Sequence, residues 1–351
     1  MRMKVASFNS PYNIEIREVK VPTFGMNDLL VKVAYSGICG TDLHIFEGKN
    51  PFVSFPIIPG HEFAGVIKSF GSKVDDFSIN EKVAINPNLS CKDQGYAVQD
   101  FCYYCKKNRP HFCLNWQAIG VTRNGGFAEY VVCPNTAAFR VPQEVSIKEA
   151  ALMEPIACCL HGLKRLNIIS EHTVLLIGAG PIGLLMILLI KSMFKSRIIV
   201  SETDNHRRNL ATNLGADLIV NPDVENLGEI VKNETDGHGV DASIEAVGSP
   251  ITALEAISLL NKGGKSLIFG VAEPEDVISL NLFKLYSNET SIFGSFTNPH
   301  ENNESLEILR KKLIPTSSLV SHELTIGEVG QGLMLMKDEG SNINKILIKF
   351  E

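Results

Sequence analysis

No excess of basic residues marks this chain: 33 Lys and Arg stand against 39 Asp and Glu in 351 residues, for a formal net charge of −6. A protein that grips nucleic acid without regard to sequence neutralises phosphates with Lys and Arg, so this balance argues against that class. No local basic run reverses the conclusion. The first stretch, MRMKVASFNSPYNIEIREV, has no apolar core and no small-residue cleavage site, so a secretory leader is not expected. Repeats, low-complexity tracts and Pro/Gly-rich linkers are missing as well. Long uncharged runs are scarce. The run Thr173–Ile190 (TVLLIGAGPIGLLMILLI) has 18 residues, just enough for a bilayer. Its centre, however, is GAGPIG, which interrupts a helix where lipid tolerates it least, so a buried strand, a tight turn and a buried helix are expected instead.

What is present fits a soluble globular protein: 44% hydrophobic and 21% charged residues, in a chain long enough for two domains with real cores. Without a leader the expected compartment is the cytoplasm, where thiols stay reduced. The eight cysteines then point to metal ligation or buried packing rather than to disulfides.

The first part of the chain, to about residue 155, reads as mostly β. LLVKVAYSG, FAGVIKSFG, EKVAINP and FAEYVVCP are short runs punctuated by Gly, Pro and Asn, suited to a barrel-like antiparallel fold. A helical pattern takes over at Ala150–Leu166. Strands are then predicted at Val174–Gly178, Ile198–Ser201, Leu218–Val220, Ala242–Glu245, Ser266–Val271 and Ser291–Gly294. Helices are predicted between them near 182–194, 204–214, 224–234, 250–260 and 276–286. Alternation of this kind predicts a parallel sheet covered on both faces. Beyond residue 295 the pattern is mixed and ends in the strand-like INKILIKF.

Gly178-Ala179-Gly180-Pro181-Ile182-Gly183 follows a predicted strand and opens a predicted helix. The first glycine makes the turn, the second lets backbone approach a pyrophosphate, and the third lets helix pack on strand. The phosphates would sit on the helix N-terminus among unpaired N–H groups. Glu202 ends the next strand, 19 residues after Gly183. An acid there accepts the ribose hydroxyls and repels a 2′-phosphate, which predicts NAD over NADP. Arg207 and Arg208 lie close by, and an arginine there can take a 2′-phosphate. Arg207 is assigned to the cofactor site.

GICGTDLH (37–44) and PGHEFAGVIKSFGSKV (59–74) place a thiolate, Cys39, and an imidazole, His61, in short loops, a pair zinc accepts readily. With these motifs the sequence resembles the zinc-dependent medium-chain alcohol/polyol dehydrogenases, close to the sorbitol-like branch, over essentially the whole chain. The resemblance implies an α/β fold: a GroES-like β-rich catalytic domain from 1–157 and 295–351, with a Rossmann NAD-binding domain of doubly wound parallel sheet, 158–294, inserted between. It implies that Cys39 and His61 are catalytic zinc ligands and that Glu62 ligates the metal or stands just behind it. Glu154, in ALMEPIACCLHGL, occupies the place of the alcohol dehydrogenases' third protein ligand, a cysteine, and either binds zinc or holds its water. Asp42 matches the carboxylate that orients the histidine. Thr41 and His44 match a proton relay, and Phe46, Phe127 and Phe296 match the family pocket, although core packing explains each Phe equally well.

Four of the eight cysteines fall in CKDQGYAVQDFCYYCKKNRPHFC, 91–113. The resembling family carries a structural zinc on the pattern C-x2-C-x2-C-x7-C. Cys102, Cys105 and Cys113 keep the last two gaps, while Cys91 lies eight residues too far upstream. Closure entropy rises only by about 0.6 kcal/mol per doubling of a loop, so a closed four-thiolate site is expected to survive the insertion. The alternatives are a disengaged Cys91, a redox C-x2-C, or a nucleic-acid-binding ribbon, the last disfavoured by the acidic balance. Cys133, Cys158 and Cys159 read as small buried hydrophobes.

The expected function is reversible NAD-linked oxidation of a secondary alcohol of a polyol or sugar alcohol to a ketone, with one catalytic and one structural zinc. The partners expected are a small alcohol and further copies of the chain as dimer or tetramer, with no nucleic acid or membrane. The sorbitol-like branch carries an Arg after the last Rossmann strand, where this chain has FGSFTNPH with Thr297 and Asn298, so the particular polyol stays open. A threonine-dehydrogenase-like amino-alcohol oxidoreductase is the alternative enzyme, although such relatives lack a Glu in the Glu154 context. A catalytically silent NAD-binding or structural protein is the alternative of another class, and the retained set Cys39, Thr41, His44, His61 and Glu154 weighs against it.

Overall fold

The computed structural model describes residues 1–337 and 343–351. It divides into two compact units: Met1–Ala157 with Thr297–Glu351, and Cys158–Phe296.

The first unit is built on a seven-stranded sheet. One path through it runs Val320–Thr325, Lys345–Lys349, Asp28–Ile38, Glu62–Phe70, Lys82–Ile85, Ala138–Arg140, and Tyr130–Pro134 also pairs with Asp28–Ile38. The pairings are antiparallel except that of Val320–Thr325 with Lys345–Lys349. Asp28–Ile38 is long enough to take partners on both sides, and its last residues meet two strands at once: Gly37 lies opposite Glu62 on one side and Leu347 on the other. The core on this sheet contains the fully buried Phe8, Phe63 and Phe127 with Leu29, Ile67 and Ile85. Residues 2–20 form a hairpin, Arg2–Ser10 with Asn13–Lys20, joined through Tyr12 at φ 61°. Each β-run expected from the sequence contributes a strand, including INKILIKF as Lys345–Lys349.

The second unit holds an all-parallel six-stranded sheet in the order Leu218–Val220, Arg197–Ser201, Thr173–Ile177, Val240–Glu245, Leu260–Ile268, Ser291–Gly294. The order reverses direction between Thr173–Ile177 and Val240–Glu245, the switch point at which doubly wound sheets bind ligands. The apolar run at 173–190 is a strand, Thr173–Ile177, and the start of a buried helix, Pro181–Met193. Among the described residues no helix is long and apolar enough to cross a membrane.

Most element boundaries shift by one or two residues, and three shift further. The strand expected at 266–271 runs Leu260–Ile268, because the Phe269 and Gly270 N–H groups leave the ladder and both donate to the Glu245 carbonyl. The helix expected at 224–234 begins at Leu227, where the Asn226 side chain accepts the Glu229 N–H. The helix expected at 276–286 is Leu282–Asn288, capped by Asn281 on the Lys284 N–H. Val277, inside the expected span, is 83% exposed in the loop before it.

Candidate functional site

Cys39, His61 and Glu62 come from two neighbouring strand ends. Cys39 is the N-cap of the short helix Gly40–Phe46, directly after Asp28–Ile38, and Glu62 opens the adjacent strand. One potential ligand atom from each lies within 4.8 Å of the others. Asp42, fully buried, ties the two loops together: its Oδ2 accepts the Cys39 N–H at 2.9 Å and its Oδ1 the Gly60 N–H at 3.2 Å. The same Oδ1 stands 3.5 Å from His61 Nδ1. That nitrogen is buried and outside hydrogen-bond geometry. The His61 loop is held from behind, where Gly125 N–H donates to Ile58 O, Gly126 N–H to Gly60 O and Phe127 N–H to Pro59 O. Gly60 takes φ 91°, a conformation for which glycine is suited.

The carboxylates of Asp42 and Glu62 are removed from water beside a half-buried thiol and a buried imidazole, and buried negative charge needs a compensating positive one. Burial alone would depress the His61 pKa, yet Asp42 and Cys39 outweigh it and hold the imidazole well above its usual value. This donor set attracts a cation, and soft sulfur with imidazole and carboxylate suits zinc. The residues therefore fit the metal.

Lys345 reaches the same pocket. Its Nζ pairs with Glu62 Oε2, and the two side chains are only 7% and 1% exposed. Burial pulls the ammonium's pKa down, but Glu62, Cys39 and Glu154 together hold it above the usual lysine value. Glu154 is buried in the first turn of Met153–Leu166. Its carboxylate stands outside the Cys39–His61–Glu62 donor group. The Glu154 carbonyl faces Asn298 Nδ2 at 3.5 Å, and Asn298, fully buried, also accepts from Asn88 Nδ2 at 2.8 Å. Thr297, before it, adopts φ 52°.

Thr41 Oγ1 lies 4.0 Å from Cys39 Sγ, and His44 follows one helical turn later on the half-buried side of Gly40–Phe46. Phe46 and Phe127 are buried in the hydrophobic core, where Phe8 meets Phe46 edge-on at a ring distance of 6.0 Å and Phe127 tilted at 6.5 Å. Phe296 is 42% exposed.

The inserted loop does not carry Cys91 away. Its Sγ lies 3.5 Å from Cys113 Sγ, and Cys102 Sγ lies 3.9 Å from Cys113 Sγ. All four thiols, Cys105 included, offer sulfurs within 4.8 Å of one another. Tetrahedral zinc with bonds of about 2.3 Å requires sulfur–sulfur edges of about 3.8 Å, which these distances bracket. Backbone N–H groups of Cys102 and Leu114 point at Cys91 and Cys102 sulfurs, the pattern that supports thiolates. Burial works against ionisation throughout. For Cys102 the backbone N–H groups of Cys105 and Leu114 overcome it and bring the pKa to about 6. Burial prevails at Cys105, pushed up to about 11, and at Cys113, pushed higher still. Four sulfurs at this spacing cannot all ionise without a cation among them. Cys133 and Cys159 are buried as expected, whereas Cys158, one residue round the helix from Cys159, is half-buried; burial raises the Cys133 thiol to about 12.

In the second unit Gly178 takes φ 95° and donates its N–H to Ser201 O, closing the turn. Gly180 is the helix N-cap, with Pro181 and Ile182 next, and a side chain added at Gly180 would meet nothing within 4 Å. Gly183 packs on the Gly178 carbonyl so closely that any Cβ would collide with it. Glu202, 7% exposed, accepts the Ala179 N–H at 2.6 Å and the Asp204 N–H at 2.9 Å. The guanidinium beside it is that of Arg208, bonded to the Glu202 and Thr203 carbonyls, whereas Arg207 contributes its backbone N–H to the Asp204 cap. The unit thus combines an open phosphate cradle with an acid at its edge.

Comparison with known proteins agrees with both units. Residues 25–143 match the profile of the alcohol dehydrogenase GroES-like domain, and 181–311 match that of the zinc-binding dehydrogenases. The starvation-sensing protein RspB of Escherichia coli K12 is 31% identical over 350 residues, covering 99% of both chains. The chain belongs to the zinc-dependent alcohol dehydrogenase family. An L-threonine 3-dehydrogenase of Chromobacterium violaceum is 30% identical over 95% of each chain, and a sorbitol dehydrogenase of Halalkalibacterium halodurans 31% identical over 93% of this chain and 94% of its own. Among solved structures, a Sinorhizobium meliloti protein described as a zinc-binding dehydrogenase and bound to NADP superposes with TM-score 0.93 at 32% identity over 100% of both chains. An alcohol dehydrogenase of Escherichia coli CFT073 in complex with NADH gives 0.92 at 30% identity over 99% of both chains.

Two residues of this alcohol dehydrogenase escaped the sequence reading. Glu245 is fully buried at a strand end, and its Oε1 accepts the N–H groups of Val247 and Gly248 and the Thr252 hydroxyl, fixing the loop that abuts Gly178. An acid inside the apolar run DASIEA was a usable signal for it. Lys345 gave none, since its partner Glu62 is remote in sequence and is reached only through strand register.

Proposed function

We propose that this alcohol dehydrogenase reversibly oxidises a secondary alcohol of a polyol or sugar alcohol to the ketone, using NAD, a catalytic zinc and a structural zinc. The observation that carries the reading is the convergence of Cys39, His61 and Glu62 within 4.8 Å, with Asp42 behind the histidine. Cys39, His61 and Glu62 would hold the catalytic metal, and Cys91, Cys102, Cys105 and Cys113 the structural one. When bound, zinc supplies a Lewis acid that lowers the pKa of the substrate hydroxyl, and NAD supplies the hydride acceptor.

The protein's own groups do the rest. Asp42, 3.5 Å from His61 Nδ1, steadies the His61 ring by its charge. Glu154, held by the Met153–Leu166 helix outside the three-ligand group, orders the water or substrate hydroxyl there. Thr41 and His44 carry the hydroxyl proton outward. Gly178, Gly180, Pro181, Ile182 and Gly183 present backbone N–H groups and space to the pyrophosphate, while Glu202 accepts the ribose hydroxyls and Arg207 borders the adenosine side. The buried Glu202 carboxylate favours NAD; the NADP-bound relative is the reason to test it.

The threonine reading has specific support in a relative of that name at 30% identity. One assay separates these possibilities: reduction of NAD and NADP with polyols, simple secondary alcohols and L-threonine. A polyol with the highest kcat/KM and a clear preference for NAD are expected. Preference for L-threonine overturns the substrate class, preference for NADP overturns the Glu202 assignment, and no turnover of any alcohol overturns the reading.

Eight free thiols suit a reducing compartment such as the cytoplasm. The sheet edge supports a homo-oligomer: Ser291–Gly294 ends the sheet with Leu260–Ile268 on one side, and Leu282, Phe283 and Tyr286 before it are 76, 73 and 79% exposed. Such an edge is a template for a second copy. Light scattering should give a multiple of 38.5 kDa that falls to the monomer in Phe283→Lys/Tyr286→Lys; a monomeric parent protein refutes the pairing.

A further inference from the structure

We propose that Lys345 is a positioning residue for the catalytic metal: its ammonium grips one oxygen of Glu62 and so presents the other as the third protein ligand. This rests on the reading that Cys39, His61 and Glu62 hold zinc.

The arrangement is produced by three adjacent strands. Glu62 opens one, Gly37 lies opposite it on the central strand, and Lys345 begins the strand on the far side, where Leu347 pairs with Gly37. The two charged side chains therefore meet over Gly37. A Cβ at that position would collide with Glu62 Oε2 and lie 3.0 Å from Lys345 Cε, so glycine is what lets the pair form. Both charges are almost wholly removed from water, at 7 and 1% exposure. Burying an ion pair brings little or no net stability over an apolar pair of similar size, because desolvation offsets the attraction. Stability alone therefore does not account for a lysine here. Its surroundings do: its partner Glu62 offers a carboxylate oxygen within 4.8 Å of the Cys39 and His61 ligand atoms. A carboxylate ligand fixed by a hydrogen-bonding partner is the common way a metal site sets ligand orientation. Lys345 cannot itself ligate while its ammonium is paired with Glu62, so it acts through Glu62.

The test uses the full-length holoenzyme. Zinc retention at the Cys39 site is measured by competition with a chelator, and Co(II) substituted there is followed by its visible thiolate and ligand-field bands. In Lys345→Met, retention should weaken by about 10- to 100-fold and the cobalt bands should shift. Lys345→Arg should recover most of the affinity, and the metal at Cys91 should be unaffected. Unchanged or tighter retention in Lys345→Met overturns the proposal, since it would mean that lysine holds Glu62 away from the metal or does nothing to it. Gly37→Ala provides a second arm that removes no charge. It should loosen zinc by displacing the pair, and normal cobalt bands with normal retention in a folded Gly37→Ala protein overturn the proposal if Lys345→Met does not fold. A parent protein with no metal at Cys39 overturns both this inference and the reading beneath it, whereas metal at Cys39 that is indifferent to Lys345 overturns the inference alone.

Discussion

Cys39→Ser is expected to lower kcat/KM for alcohol oxidation by about a thousandfold or more and to reduce bound zinc from two ions per chain to one. The size follows from the chemistry. A Lewis acid contributes several kcal/mol to stabilising charge on a substrate oxygen, and about 4 kcal/mol corresponds to about three powers of ten in rate. Serine keeps the size of the side chain but loses the soft thiolate that, with His61 and Glu62, completes the donor group. Binding of NADH should persist in this variant, because the glycine turn and Glu202 belong to the other unit. That contrast is informative: loss of both zinc and NADH binding indicates misfolding. Metal analysis, NADH fluorescence titration and steady-state rates measure the three quantities. Alcohol turnover undiminished in Cys39→Ser refutes the catalytic assignment.

The second large effect is expected at Cys91→Ser, on stability. Cys91 and Cys113 sulfurs stand 3.5 Å apart in a buried cluster whose thiols have been driven apart in acidity, Cys102 down to about 6 and Cys105 up to about 11. Without a cation these four thiols cannot all become thiolates; with one the cluster is a closed cross-link. A structural metal contributes folding free energy directly. Losing about 3–5 kcal/mol from a unit of this size lowers the melting temperature by about 10 °C, at about 2–4 °C per kcal/mol. The first thermal transition of Cys91→Ser should fall by that amount, with one zinc lost and Cys39 chemistry retained in the protein that remains folded. An unchanged transition with two zinc ions retained means that Cys91 is disengaged.

These two sites differ in how far they could be read. The glycine turn was legible in full, because its job is local: Gly178, Gly180 and Gly183 act through their own backbone and the strand and helix they join. Cys39 with Asp42 was legible for the same reason, both belonging to one helix cap. Long-range contacts were not. Phe46 and Phe127 matched pocket positions in the sequence but lie in the core, since an aromatic letter carries no record of which face it turns to. Arg208, one residue along from the arginine assigned to the cofactor, is the one whose guanidinium reaches the Glu202 loop, because one residue on a helix rotates a side chain by about 100°. The helix placed at 276–286 began later, since a single Asn281 cap outweighed an apolar pattern in a loop.

Residue order by itself determined the alternation of strand and helix, the glycine turn, the candidate metal-ligating side chains and the family to which the chain belongs. These depend on spacing within one turn, cap or strand, over which the backbone is a rigid ruler. Tertiary structure decided that Cys91 rejoins its three partners across an enlarged loop, that Glu62 stands with Cys39 and His61, and that Lys345 reaches Glu62. Those outcomes depend on strand register and loop closure, where residues far apart in the chain are brought together by hydrogen bonds that no single segment encodes.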